Sequence, residues 1–175
     1  TALGRALCAW SGHERLLVML EGHGREDLLP AGVDLSRTTG WFTSLFPVLL
    51  DPSGSPVDAL KRIKESLRNI PAKGLGHGAL KHLGSEAQRQ VLRALPSPQL
   101  VFNYLGQVDS GFDAQAPWRL ADENPGAAIH EAAPLMHEFI VNGQVLEGEL
   151  SLTVSYSHAR HERQTVQAWV RRFEE

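Results

Sequence analysis

The sequence predicts an α/β fold in which a mixed β-sheet is covered by helices. Three features lead there. Stretches with helical apolar spacing alternate with short apolar, β-branched or aromatic runs. An Asn142-Gly143 pair stands between apolar residues, the pattern of a type I′ hairpin and so of at least one antiparallel pairing. After it, Leu146, Gly148, Leu150, Leu152, Val154 and Tyr156 alternate with Glu147, Glu149, Ser151, Thr153 and Ser155, which predicts one buried and one wetter side.

The elements follow in order. Thr1 to Ser11 reads as a helix stopped by Gly12, with Leu3, Ala6, Leu7 and Trp10 on one face. That spacing starts as though the helix began upstream, and the chain opens without Met, so a piece of a larger protein is expected. Arg15 to Glu21 is an apolar run between Gly12 and Gly22, too short for a typical helix and expected to be a strand buried on both faces. Gly22 to Arg37 reads as a loop, and Trp41 to Leu50 as a strand closed by Asp51-Pro52. Ser55-Pro56 with Asp58 is a helix start: a capping hydroxyl, a proline at the first helical position and an acid facing the positive dipole end. Val57, Leu60, Ile63 and Leu67 mark its apolar face, and Pro71 stops it. Glu86 to Leu95 reads as a short helix, Gln99 to Leu105 as a strand, and Arg160 to Glu174 as a closing helix with Val166, Trp169, Val170 and Phe173 inward. Gly106 to Ala133 is turn-rich and carries no assignment.

Composition narrows the function. The 175 residues suit one domain, and 42% hydrophobic with 21% charged residues fits a globular body with its own core. Lys and Arg number 17 against 20 Asp and Glu, a net charge of −3, which offers no basic footprint for nucleic acid or an anionic membrane. The longest aliphatic run, Leu16 to Leu20, falls far short of the roughly 20 residues that cross a bilayer. The lone Cys8 excludes an internal disulfide framework and a thiolate zinc site, and a reducing, cytoplasmic setting is expected.

Several stretches carry candidate chemistry. Glu21-Gly22-His23-Gly24-Arg25-Glu26 places two acids, an imidazole and a guanidinium among glycines at a strand end, where side chains can project into a cleft. A carboxylate partly withdrawn from water at such a place is a proton carrier near neutral pH; the plainer reading is a polar turn whose Arg and Glu pair in solvent. The eight histidines include His23 with Glu26, His130 with Glu131, and His158 with His161, but no HExxH or Cys/His ladder, so no metal is expected. Gly74 to Gly78 is a candidate phosphate cradle that lacks the ending of a P-loop. No GxSxG elbow occurs, and Cys8 reads as a packed small hydrophobe. Asn103 and Tyr104, in Phe102 to Gln107, are a pair suited to orienting a polar substrate, or else a strand end whose Asn caps a turn.

Taken together and in this order, four stretches resemble the epimerization domains of non-ribosomal peptide synthetases. Glu21 to Glu26 is similar to the EGHGRE of that family, Arg37 to Thr43 to its RTVGWFT, Pro71 to Gly78 to its PxxGxGYG, and Phe102 to Gln107 to its FNYLGQ. Condensation domains share the fold but typically lack the first two. Thr39 departs from the usual Val, Phe46 from a Tyr, and His77 from the Tyr of PxxGxGYG. The HHxxxDG motif of the family is absent from the chain.

The resemblance implies that residues 1–175 are the C-terminal lobe of a two-lobed, chloramphenicol acetyltransferase-like domain whose tunnel runs between the lobes. The implied reaction is cofactor-independent inversion of the α-carbon, L to D, of an aminoacyl or peptidyl thioester on the phosphopantetheine arm of a carrier protein. Glu21 is then the catalytic proton carrier, with the His of the N-terminal lobe as its counterpart or as stabiliser of the enolate oxygen. His23, Arg25, Trp41, Asn103 and Tyr104 shape the site or bind substrate. No cofactor is expected on this chain, and the implied partners are the N-terminal lobe and the peptidyl carrier protein. The chain alone is expected to be inactive. The rival readings are a non-catalytic, condensation-like lobe that docks a carrier or neighbouring domain, and an anion-binding module using Gly74 to Gly78.

Overall fold

The computed structural model describes residues 1–25, 34, 35, 37–108, 121, 123–127, 129–146 and 148–174. Its elements are α1 (Ala2–Ser11), β1 (Leu16–Gly22), β2 (Ser44–Leu50), α2 (Pro56–Arg68), a 3-10 turn (Pro71–Gly74), α3 (Leu75–Leu83), α4 (Glu86–Ala94), β3 (Leu100–Gln107), β4 (Phe139–Leu146), β5 (Glu149–Tyr156) and α5 (Arg163–Glu174). The strands form one mixed sheet in the order β2-β1-β3-β4-β5. Its middle, β1-β3-β4, is parallel, and β2 and β5 are antiparallel edges. The α/β class expected from the sequence is therefore observed.

Local chemistry explains the boundaries. Gly12 ends α1 in the left-handed region at φ 75° while its N–H donates to the Cys8 carbonyl at 2.9 Å. The Ser55 hydroxyl accepts from the Asp58 N–H at 3.2 Å, with Pro56 at the first helical position. Ser85 and Gln88 cap α4 reciprocally, at 3.3 and 2.8 Å. Pro47 has no N–H to give a ladder and sits in β2, an edge strand.

One face of the sheet carries the core. Val18, Phe46, Val48, Leu50, Leu100, Phe139 and Val141 meet Leu3 and Leu7 of α1, Ile63 of α2, and Val166 and Trp169 of α5. Trp169 is fully buried, edge-on to Phe139 at 5.5 Å between centroids. Each such side chain contributes about 1.5–3 kcal/mol on burial. Just before α5, His161 reaches Glu138 at 2.9 Å and Arg160 pairs with the same carboxylate, which ties the last helix to the start of β4.

Five expectations need correction. Asn142-Gly143 is not a turn: both residues lie inside β4, and the chain reverses between the paired Leu146 and Glu149, with Gly148 at φ 77°. Gly143 is small for packing, since a Cβ there would stand 2.9 Å from Leu152 Cδ2. Next, β1 is not buried on both faces. Val18 is fully buried, but Leu17, Met19 and Glu21 on the other side are only half-buried. Residues 75–83 form a helix that glycines at 76 and 78 concealed. Finally, Leu150 is largely exposed on the edge strand β5, and Trp41 to Thr43 precede β2 rather than joining it.

Candidate functional site

Glu21 is the last residue but one of β1, pairs with Leu45 of β2, and belongs to the sheet face opposite the core. It is half-buried and makes no ion pair among the described residues. On its other side, Met19 pairs with Val101 and Leu20 with Phe102 in a parallel ladder. One step further in that register sets Glu21 beside Asn103. Asn103 in turn pairs with Asn142, and Asn142 with Thr153. A polar row thus crosses four strands on the side away from the core. The row before it, Met19, Val101 and Ile140, is apolar.

The structure does not bring Tyr104 to this face. By strand alternation it lies on the core side, half exposed at 51%, at the rim of an apolar cavity of about 330 Å³ lined by Leu20, Phe46, Ile63, Phe102 and Phe173. Glu21 borders the same rim.

The two ends of the single connection between β1 and β2 are fastened to each other. The Arg25 guanidinium lies 4.5 Å from the centre of the Phe42 ring and donates to the carbonyls of Leu35 at 3.1 Å and Gly40 at 3.2 Å. Gly24, at φ 67°, comes so close to the Phe42 carbonyl that a Cβ would stand 1.6 Å from the oxygen. Gly40 likewise leaves room for the Phe42 ring, 2.8 Å from where its Cβ would be. His23 accepts the Arg25 N–H on Nδ1 at 3.0 Å, which tightens the turn. The described ends of the connection therefore form one unit beside the end of β1. Trp41 is 89% exposed at its outer edge. Glu26 lies outside the described residues.

Beside this unit, α3 and the β2 edge enclose a cleft of about 710 Å³ over Met19 and Leu45, lined also by Phe42, His77, Lys81 and His137. Burial, with Lys81 and His82 adding repulsion, holds the His77 imidazole below its usual pKa and so favours its neutral form. The backbone reaches α3 through Ala72 and Lys73, both at positive φ near 48°, and Gly74, where a Cβ would overlap the Phe46 ring at 2.0 Å. Gly74 is thus required by packing against Phe46, and Gly76 and Gly78, with nothing within 4 Å of a Cβ there, lie inside α3. Burial, and then the Asp51 carboxylate, push the Cys8 thiol up, away from the reactive thiolate. His158 stacks near Tyr156 at 4.8 Å, and His130 accepts the Ala132 N–H at 3.1 Å. Among the described residues no group of three or more His, Cys, Asp or Glu is placed to hold a metal, and no helix is long and apolar enough to cross a membrane.

The family model described as Condensation domain matches residues 1–175. The chain belongs to the condensation-domain family. It is 41% identical over 177 residues to a linear gramicidin synthase polypeptide of Brevibacillus parabrevis and 41% over 176 residues to chondramide synthase of Chondromyces crocatus, covering 99% and 100% of this chain. It spans only 2% and 4% of those proteins. The epimerization domain from the third module of tyrocidine synthetase B superposes with a TM-score of 0.85 at 31% identity, over 99% of this chain and 38% of that one. The condensation domain of chain release from the enacyloxin polyketide synthase superposes at 0.63 and 14% identity, over 98% and 33%, a likeness of fold alone. Sequence reasoning missed Phe42 and Gly24 as the contact between the two motif stretches. The signal was present, since glycine alternates with charge in one stretch and precedes aromatics in the other.

Proposed function

We propose that this chain is the C-terminal lobe of an epimerization domain of a non-ribosomal peptide synthetase, and that Glu21 moves the α-proton of an aminoacyl or peptidyl thioester carried on a carrier protein's phosphopantetheine. The observation that carries the reading is the place of Glu21: half-buried, without an ion pair among the described residues, and on the sheet face away from the core, beside Asn103. The two ends of the connection beside it carry EGHGR and GWFT, the stretches that condensation domains typically lack. The higher identity and TM-score against the tyrocidine epimerization domain point the same way.

The chemistry needs little. As the carboxylate takes the α-hydrogen as a proton, the C–H electron pair moves into the thioester carbonyl and forms an enolate. An acid on the opposite face, assigned here to the His of the N-terminal lobe, then donates a proton to the α-carbon, and the configuration is inverted. In the reverse direction the roles exchange. A base and an acid on opposite faces suffice, with the amide of Asn103 at hand to orient the substrate. Arg25, His23 and Trp41 shape the wall beside Glu21.

In an intact domain containing this chain, Glu21→Gln keeps the shape of the side chain and removes its basicity. Formation of the D-epimer on a loaded carrier, read by chiral chromatography of the released product, should fall by about 10²–10⁴-fold. An unchanged D-to-L ratio and rate would remove Glu21 from the reaction and favour a docking lobe that retains the motif as structure.

A further inference from the structure

Among the described residues no side-chain hydrogen bond accounts for Asn142 on its strand. Asparagine is depleted in strands. It is half-buried in the middle of β4, and its neighbour Gly143 is accounted for by Leu152 and Tyr104 pressing from the core side. On the opposite side Asn142 pairs with Asn103 on β3 and Thr153 on β5. Gln144 and Ser151, paired one step further along, continue the same face, as do Ser155 and Ile140 one step back. Beyond Glu21, then, Asn103, Asn142 and Thr153, with Gln144 and Ser151 next to them, are uncharged groups that both donate and accept hydrogen bonds, bordered by the apolar Val101 and Ile140. Such groups can pair with secondary amides, each of which brings one N–H donor and one carbonyl acceptor.

We infer that Asn142, with Asn103 and Thr153, forms a track that binds the amides of the substrate chain and so sets the α-carbon against Glu21. This rests on the proton-carrier reading of Glu21 and adds to it a substrate class, a chain with amide groups on either side of the reacting carbon. Those amides belong either to a peptidyl substrate or to the pantetheine arm.

The test uses an intact domain containing this chain and carrier-bound substrates, with α-proton exchange as the readout. Asn142→Leu keeps the number and branching of side-chain heavy atoms and removes the hydrogen-bonding groups. KM should rise about tenfold while kcat stays within about twofold, and Asn142→Gln should recover part of the loss. A rise confined to peptidyl substrates assigns the track to the peptide, and a rise shared by free aminoacyl substrates assigns it to the arm. Either supports the track. An unchanged KM, or a fall in kcat alone, overturns it. Where Asn142→Leu fails to unfold cooperatively, Thr153→Val on the same row replaces it, with the same rise expected and an unchanged KM again overturning the track. Glu21→Gln, run beside these, separates the two ideas. Exchange that survives in Glu21→Gln while Asn142→Leu raises KM would refute Glu21 as the proton carrier and keep the track.

Discussion

Gly24 and Gly12 offer a matched pair for testing how the site is held. Both adopt the left-handed region, at φ 67° and 75°, where any other residue bears a strain of about 1–2 kcal/mol. Their surroundings differ. A Cβ on Gly12 meets nothing within 4 Å, whereas one on Gly24 would stand 1.6 Å from the Phe42 oxygen, a backbone atom that cannot rotate away. Gly12→Ala should therefore cost about 1–2 kcal/mol. Gly24→Ala should add about 1–3 kcal/mol for the displaced backbone, about 2–5 kcal/mol in all. Urea unfolding of the two variants, followed by tryptophan fluorescence and compared at equal slopes, measures the difference. A loop that yields locally would also move the exposed Trp41, next to Phe42, and change its emission in Gly24→Ala alone. Equal penalties with identical emission would refute the view that Gly24 and Phe42 fasten the two ends of this connection beside Glu21.

Two further outcomes follow from the structure. Ser55→Ala removes the acceptor for the Asp58 N–H and should destabilise the chain by about 1 kcal/mol, seen as a lower urea midpoint with an unchanged slope. The lowered pKa of His77 means that the unfolded chain binds a proton there more readily than the folded one. Its contribution makes stability fall as pH drops through the ordinary imidazole value of 6.5, and level off once the folded imidazole is also protonated. His77→Gln should flatten that part of the stability profile, measured as Tm between about pH 7.5 and 5.5.

Most of the fold was legible because its signals are local. A capping serine with a proline after it, a glycine stop at the end of α1 and apolar spacing in α2 and α5 each fix an element without help from elsewhere. Misreadings arose where a distant contact decides. Asn142-Gly143 has the composition of a turn, but Leu152 and Tyr104, from neighbouring strands, select the glycine for its lack of a side chain. Glycines in α3 are poor helix formers, and the helix forms because its start is packed on Phe46 and the β2 edge. Motif residues Glu21 and Asn103 were visible in sequence, but their sharing one sheet face, with Tyr104 on the other, depends on the register of β1 against β3. The same register gives Asn142 its place, which no local pattern reveals.

Solvent deuterium entering the α-carbon of a carrier-bound thioester measures the central claim most directly, in an intact wild-type domain containing this chain. One deuterium should appear at each inverted centre, at a rate that keeps pace with formation of the D-epimer. Substrate that stays fully protonated at that carbon, on a loaded carrier with its thioester intact, would contradict the account and leave this lobe a docking surface.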